Sequence, residues 1–265
     1  MGLLATSVLS RAADRLEQHG QPSPYLNDPV GWALHKQNVQ LWSKQREIAR
    51  SVIANRRTAV KSCHDVGKSF LAGTLAQFWV DVHPHGEAFV ASTAPSYPQV
   101  HAILWEEIRA GFRRSANAGN ALPGRVLQSD EWKLDDGTLV GYGRKPADQD
   151  EHGFQGIHRR FVLVIIDEAC GVPEQLWTAA EAITTNADCR ILAIGNPDDP
   201  STEFGNVCKP GSGWNIIQVS AFDSPNFTDE QVPDRLRPLL IAPEWVEDKK
   251  RRWGETSPRY VSKVL

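Results

Sequence analysis

Residues 60–70, with the sequence VKSCHDVGKSF, contain the residue types that bind phosphate groups. Gly67, Lys68 and Ser69 match the second half of the phosphate-loop pattern G-x-x-x-x-G-K-[ST], whereas Ser62 stands where that pattern has its first glycine. In such a loop the backbone N–H groups surround the phosphates, the lysine adds positive charge and the hydroxyl ligates Mg²⁺. The stretch therefore predicts a binding site for a nucleoside triphosphate.

A pair of acids, Asp167 and Glu168, follows the apolar run FVLVII at residues 161–166. In an open α/β sheet, ligands bind at the edge where such strands end. Asp167 would hold Mg²⁺, and Glu168 would orient or deprotonate the attacking water of a hydrolase. Alternatively, the two acids only end a strand and cap a helix. Their combination with the phosphate loop favours the catalytic interpretation.

The elements that must position these residues are predicted by hydrophobic periodicity. The segment RRTAVKS before the loop is typical of a strand, and helical spacing of apolar residues follows Ser69. Trp32 to Asn55 has a helical pattern, and EWKLDDGTLVGYG indicates a hairpin. Further strands are predicted at EAFVAS, FVLVII, RILAIG and WNIIQVSAF, with helices between most of them. This alternation predicts an α/β fold with a mainly parallel sheet covered on both faces.

Composition excludes several other classes of protein. The chain has 265 residues and a net charge of −3, so nucleic-acid contacts would depend on local basic runs. Four cysteines form no C-x-x-C pair, which argues against a disulfide scaffold or a zinc site and favours a reducing, cytosolic setting. No secretion signal or run of membrane-spanning length is apparent.

Several motifs together resemble the N-terminal ATPase domain of the large terminase subunit of tailed bacteriophages, the motor that packages DNA into capsids. They occur in the family's order over roughly residues 30–225, as LWSKQREIARSV, KSCHDVGKS, FVASTAPSYPQVHAILWEEI, FQGIH, VLVIIDEA and ILAIGNPDDPSTEFG. The resemblance implies a P-loop NTPase fold of the RecA-like (ASCE) type, in three layers around the sheet, with a small C-terminal helical lid subdomain. It also implies an ATPase that requires ATP and Mg²⁺.

The resemblance assigns roles to individual residues. Gln45 matches a glutamine that reads adenine, Asn196 a polar residue that senses the γ-phosphate, and Glu168 the catalytic glutamate. Arg144 is the leading candidate for an arginine that completes a neighbour's site in a ring, with Arg159 and Arg160 as competitors. Lys68 and Ser69 would contact phosphate and Mg²⁺, and Asp167 would contact Mg²⁺. The phosphate loop comprises Lys61, Ser62, Cys63, His64, Asp65, Val66, Gly67, Lys68 and Ser69.

Relatives often carry an additional basic residue in this loop, for which Lys61 and His64 are the nearest equivalents here. Partners implied by the family are double-stranded DNA, the portal protein, the small terminase subunit and further copies of the chain in a ring. The protein would act in the host cytoplasm. DNA contacts are expected from basic runs that include Arg109–Arg114 and Lys249–Arg252, although acids before the second run favour a solvated helix face.

Three segments are predicted: an N-terminal helix and arm at 1–30, an ATPase core at 31–225, and a helical lid or linker at 226–265 that leads toward a nuclease domain. The chain ends there, which suggests either a separately produced ATPase domain or an unusually split subunit, in both cases without nuclease activity. Two alternatives stay open. A helicase-like ATPase would require a second motor lobe, and a nucleotide-gated docking module would bind ATP with little turnover.

Overall fold

A central eight-stranded sheet organises the computed structural model, which describes residues 22–145 and 157–265. The strands are β1 (Arg57–Ser62), β2 (Ala88–Thr93), β3 (Arg125–Val126), β4 (Glu131–Lys133), β5 (Leu139–Gly143), β6 (Phe161–Ile166), β7 (Arg190–Gly195) and β8 (Asn215–Val219). Their order across the sheet is β3-β4-β5-β2-β6-β7-β1-β8. Only the β3–β4 and β4–β5 pairs are antiparallel, so the predicted mainly parallel sheet is confirmed.

Helices flank the sheet and connect its strands. They are α1 (Pro29–Gln37), α2 (Ser43–Ala54), α3 (Lys68–Val82), α4 (Tyr97–Gln99), α5 (Trp105–Asn117), α6 (Glu174–Ala182), α7 (Glu203–Val207), α8 (Pro243–Trp253) and α9 (Pro258–Val264). A π-helical turn, Val100–Leu104, joins α4 to α5. Within the described ranges, no helix combines the length and apolar character needed to cross a bilayer.

Two hydrophobic cores lie on opposite faces of the sheet. Strand β6 contributes to both, because alternate side chains of a strand point to opposite faces. Leu163 and Ile165 pack in the core that contains Leu75 of α3, whereas Val164 packs in the core that contains Leu176 of α6. Both faces of the strand are therefore buried, as its continuous apolar sequence predicts. The predicted three-layer α/β fold is confirmed.

The predicted helical segment from Trp32 to Asn55 differs from the structure, where two helices occupy this region. Helix α1 ends at Gln37, and the next residue, Asn38, adopts a left-handed conformation with φ of 53° and donates its N–H to the carbonyl of Ala33. The chain is then non-helical until α2 begins at Ser43. A left-handed asparagine commonly ends a helix in this way, whereas the apolar spacing continues across the break. The predicted N-terminal helix and arm lie largely outside the described residues.

Strand order brings the predicted functional loops together. Strand β7 lies between β1 and β6, and all three strands are parallel. The loops that follow them therefore emerge side by side at one edge of the sheet, where ligands bind in open α/β folds. These loops contain residues 63–67, the acids at 167–168, and Asn196. Residues far apart in the sequence thus lie at one site.

Candidate nucleotide site

The loop between β1 and α3 contains two left-handed residues and a run of backbone N–H groups without protein acceptors in the described part of the chain. Asp65 and Gly67 adopt left-handed conformations, with φ of 51° and 74°, and these turns reverse the direction of the chain before the helix. Within the described ranges, the N–H groups of residues 65–69 have no hydrogen-bond acceptor. Unpaired N–H groups at a loop and a helix N-terminus form a binding site for an anion such as phosphate.

The carbonyl groups of the same loop are hydrogen-bonded, by donors within the loop and by donors from other parts of the chain. Buried carbonyls require such partners, because an unpaired one has a high desolvation cost. The donors, in loop order, are the Asn196 amide for Ser62 (2.7 Å), Lys68 Nζ for Cys63 (2.8 Å), Cys63 Sγ for His64 (3.4 Å), the Ile241 N–H for Asp65 (2.9 Å), the Gln45 amide for Val66 and Gly67 (3.4 and 3.5 Å), and the Leu71 N–H for Gly67 (3.0 Å). The loop is therefore held in an anion-binding conformation.

The hydroxyl of Ser69 meets the acid at the end of β6. Its Oγ donates to Oδ2 of Asp167 at 2.9 Å, which links the first turn of α3 to β6. Asp167 is 2% exposed, and this burial raises its pKa above the ordinary value, while the hydrogen bond from Ser69 opposes the shift. The Ser69 hydroxyl and the Asp167 carboxylate are oxygen ligands of the kind that suits Mg²⁺, which commonly binds through one or two protein groups plus substrate phosphates.

Glu168 adopts an unusual backbone conformation immediately after Asp167. It has φ of 47° and ψ of 45°, in the left-handed region that residues other than glycine seldom occupy. Its N–H donates to Oδ1 of Asp167 at 3.0 Å, and its side chain is half-buried. Such strain is concentrated at functional sites, where it directs a side chain that a regular strand would point elsewhere.

Asn196 connects β7 to the phosphate loop. It is 2% exposed, and its amide donates to the Ser62 carbonyl. The preceding Gly195 lies against the loop after β6, where an added Cβ would be 3.0 Å from the backbone nitrogen of Ala169. The end of β7 therefore contacts both neighbouring loops, which fits the predicted sensing role; that role stays a prediction.

Lys68 is the cation at the centre of the loop, whereas the other two basic candidates lie elsewhere. Lys61 and Ser62 are consecutive in β1, so their side chains lie on opposite faces of the sheet. Lys61 lies near Cys208: burial raises the pKa of that thiol to about 11, and the positive charge of Lys61 opposes the shift. Burial lowers the pKa of His64, and the positive charges of Lys263 and Lys68 lower it further. His64 is therefore neutral near pH 7. Neither residue supplies a second positive charge within the loop.

Two more loop-associated residues have buried side chains. Burial raises the pKa of the Cys63 thiol to about 12, so this side chain stays protonated. Gln45 is 3% exposed, and both ends of its amide bond the protein backbone, because its Oε1 accepts the Trp42 N–H at 3.4 Å. The predicted reading of adenine by Gln45 stays a prediction.

Arg144 lies at the same edge of the sheet but far from the phosphate loop. It follows β5, which is four inter-strand spacings from β1, or about 19 Å at roughly 4.8 Å per spacing. Its exposed guanidinium lies 4.1 Å from the centre of the Tyr142 ring. Arg159 and Arg160 instead precede β6, at the opposite edge of the sheet. Of the three, Arg144 lies at the edge that carries the site.

The basic runs predicted to contact DNA are largely paired within the chain. Arg109 is 5% exposed, and its guanidinium bonds the buried carboxylate of Asp130 at 2.9 Å. In α8, Arg251 and Arg252 both pair with Asp248. The second run therefore fits the predicted solvated helix face. The Arg109 side chain is unsuited to contact an external phosphate.

The C-terminal segment contributes contacts to the loop that the sequence interpretation missed. The Ile241 N–H bonds Asp65, and the His64 N–H donates to the Lys263 carbonyl at 3.3 Å. The Lys263 ammonium also bonds the Asp198 carboxylate. The first two contacts use backbone atoms, which leave no signal in residue types. The predicted division into three segments remains a prediction.

Comparison with known proteins identifies related folds. No protein-family model matches the sequence, and no curated protein matches it. The ATPase domain of the large terminase from Thermus phage P74-26 superposes with a TM-score of 0.62 and 16% identity, over 92% of this chain and 97% of that one. A large terminase from a thermophilic bacteriophage, in complex with ADP, gives a TM-score of 0.56 and 12% identity, over 84% of this chain and 52% of that one.

The large terminase of bacteriophage HK97 gives a TM-score of 0.54 and 14% identity, over 86% of this chain and 50% of that one. The chain thus spans about half the length of the ADP-bound terminase and of the HK97 protein. At these identities the likeness establishes a shared fold. The predicted P-loop NTPase fold of the RecA-like type is confirmed.

Proposed function

We propose that this chain is the ATP-hydrolysing motor domain of a bacteriophage large terminase, which couples ATP hydrolysis to translocation of double-stranded DNA into the capsid. The observation that carries the proposal is the phosphate loop, where the N–H groups of residues 65–69 bond no acceptor among the described residues, with Lys68 in it and the acid Asp167 of β6 bonded to Ser69. The fold shared with large terminase ATPase domains supports it further.

The chain binds ATP by replacing internal contacts of the loop with contacts to phosphate. The N–H groups of residues 65–69 donate to phosphate oxygens, and Lys68 leaves the Cys63 carbonyl because a charged oxygen is the stronger acceptor. Ser69 and Asp167 would hold Mg²⁺, which would supply positive charge against the phosphates. A nearby cation also favours the ionised form of Asp167, whose pKa is otherwise raised by burial.

Glu168 acts as the general base for the attacking water. Its carboxylate extends from a left-handed position just beyond β6 and accepts a proton from the water as the water oxygen attacks the γ-phosphorus. The bond from that phosphorus to the β,γ-bridging oxygen breaks, and ADP leaves with the electron pair. Asn196 links this region to the loop, because its amide bonds the Ser62 carbonyl while its strand contacts the segment after Glu168. A change at the γ-phosphate is thereby transmitted to β7.

Arg144 acts on a neighbouring subunit in a ring. Strand β5 is four inter-strand spacings, about 19 Å, from β1 and two, about 10 Å, from β6, and the Arg144 guanidinium packs on the Tyr142 ring instead of contacting the phosphate loop. The assembled ring would work in the host cytoplasm with the portal protein and the small terminase subunit. It would contact DNA through phosphates, as movement along any sequence requires.

The experiment that tests hydrolysis compares wild type, Glu168→Gln and the control Glu174→Gln with ATP and Mg²⁺. Glu174 is an exposed acid at the start of α6, outside the site. We expect Glu168→Gln to bind ATP and lose about 100-fold or more in hydrolysis rate, since general-base catalysis contributes roughly 10²- to 10⁴-fold. Equal hydrolysis in Glu168→Gln would refute this assignment. ATP binding without turnover by wild type would favour a docking module.

Assembly is tested by measuring ATPase rate against protein concentration, with and without double-stranded DNA. We expect the rate per subunit to rise with concentration and to fall in Arg144→Ala. Arg159→Ala is the matched control, because Arg159 is an exposed arginine at the opposite edge of the sheet. A rate per subunit that is independent of concentration and survives Arg144→Ala would contradict the trans-acting role.

A further inference from the structure

We propose that Gln45 is a positioning residue that holds the phosphate loop in its anion-binding conformation, and that it does not read the base of the nucleotide. This inference rests on the proposed nucleotide site and concerns how that site is kept in shape. It departs from the role that the sequence resemblance implies for this glutamine.

Both polar ends of the Gln45 side chain bond the protein backbone. Its Nε2 donates to the carbonyls of Val66 and Gly67, at 3.4 and 3.5 Å. Its Oε1 accepts the N–H of Trp42, the residue before α2, at 3.4 Å. One amide therefore joins the first turn of α2 to the last residues of the phosphate loop.

The surroundings of Gln45 leave no room for a base at its amide. The side chain is 3% exposed and lines a small cavity behind the loop, together with Trp42 and Ser62. That cavity has a volume of about 10 Å³, close to the space for a single water molecule. Gly67 is fitted closely to the amide, since an added Cβ would lie 2.7 Å from Gln45 Nε2. An adenine contact would require this side chain to leave its buried site.

The loop needs this donor because of its own geometry. When the chain turns its N–H groups toward a phosphate, the carbonyls of the same peptides face backward. Gln45 bonds the two carbonyls immediately before Lys68. The carbonyl of left-handed Gly67 also accepts the Leu71 N–H at 3.0 Å, so among the described residues the Val66 carbonyl is the one that depends on Gln45. Loss of that support increases the population of other loop conformations. The apparent affinity for the ligand then falls in proportion to the fraction of molecules whose loop remains in the binding-competent conformation.

The experiment compares wild type, Gln45→Met and the control Gln37→Met. Methionine preserves the length of the side chain and removes its hydrogen bonds. Gln37 is likewise 3% exposed and bonds Gln77, away from the phosphate loop. Binding of ATP, GTP and inorganic tripolyphosphate, each with Mg²⁺, is measured together with hydrogen exchange of residues 62–69 in the ligand-free protein.

We expect Gln45→Met to weaken all three ligands by the same factor, about tenfold for roughly one net hydrogen bond, and to accelerate exchange in the loop. Gln37→Met should lower thermal stability without either effect. A selective loss of ATP over GTP, with unchanged tripolyphosphate binding and loop exchange, would overturn the proposal and identify a base reader. Unchanged binding and exchange in Gln45→Met would also overturn it. If wild type binds none of the ligands, the proposed function fails, while loop exchange still decides the role of Gln45.

Discussion

Replacing Glu168 with glycine should leave the protein more stable than replacing it with alanine, while either change abolishes hydrolysis. Glu168 has φ of 47° and ψ of 45°, a conformation that costs a residue with a Cβ about 1–2 kcal/mol. Glycine adopts it without that cost, but its greater freedom in the unfolded chain offsets roughly 0.4–1 kcal/mol. We therefore expect Glu168→Gly to exceed Glu168→Ala in free energy of unfolding by about 0.5–1 kcal/mol.

The comparison with alanine isolates the backbone contribution, because both variants lack the carboxylate and its interactions. Urea unfolding followed by tryptophan fluorescence is suitable, since the chain has nine tryptophans. The slope against urea should be the same for both variants, and the midpoint should be higher for glycine. A difference of 1 kcal/mol corresponds to roughly 2–4 °C in Tm for a domain of about this size.

Arg50 provides the matched control pair. It is exposed in the interior of α2, where its backbone is helical. Arg50→Gly should be less stable than Arg50→Ala by about 1 kcal/mol, the opposite sign from position 168. If glycine at position 168 is no more stable than alanine, the left-handed conformation carries no strain there. In that case our account of how the catalytic carboxylate is positioned is wrong.

Three further predictions concern neighbouring residues. Burial raises the pKa of Asp167, so its contribution to stability is present below the ordinary value of 3.8 and is lost as pH rises through the raised value. Asp167→Asn should therefore reduce the loss of unfolding free energy that wild type shows as pH rises above 3.8. Ser62→Ala should stabilise the protein by up to about 1 kcal/mol, because the buried Ser62 Oγ has no partner among the described residues. Asn196→Ala should cost about 1–3 kcal/mol, because the Ser62 carbonyl loses its donor.

Each of these predictions has a measurement that would contradict it. For Asp167→Asn, the measurement is urea unfolding over a range of pH. If the variant and wild type show the same pH dependence of unfolding free energy, folding does not raise the pKa of Asp167 and the prediction is wrong. For Ser62→Ala, a loss of more than about 1 kcal/mol would indicate that the hydroxyl has a partner. For Asn196→Ala, unchanged stability would indicate that the carbonyl finds another donor, and Asn206→Ala, at an exposed position in α7, is the control.

Local patterns in the sequence were sufficient to predict the main strands and the residue types of the site. The run FVLVII identified a strand buried on both faces, because only such a strand is apolar without alternation. The same reasoning failed between Trp32 and Asn55, because apolar spacing continues through the helix break at Asn38. Periodicity describes which side chains are buried and is insensitive to a single left-handed residue.

Sequence by itself determined that a phosphate loop and two acids exist, since their chemistry depends on residue types at short, fixed spacing. Tertiary structure decided which other residues surround them. The strand order places β7 and Asn196 between the loop and the acids. Tertiary packing buries Gln45 against the loop, and the Ile241 N–H of the C-terminal segment bonds the loop at Asp65. These contacts join segments up to about 180 residues apart, often through backbone atoms that every residue shares. For that reason no local pattern could have predicted them.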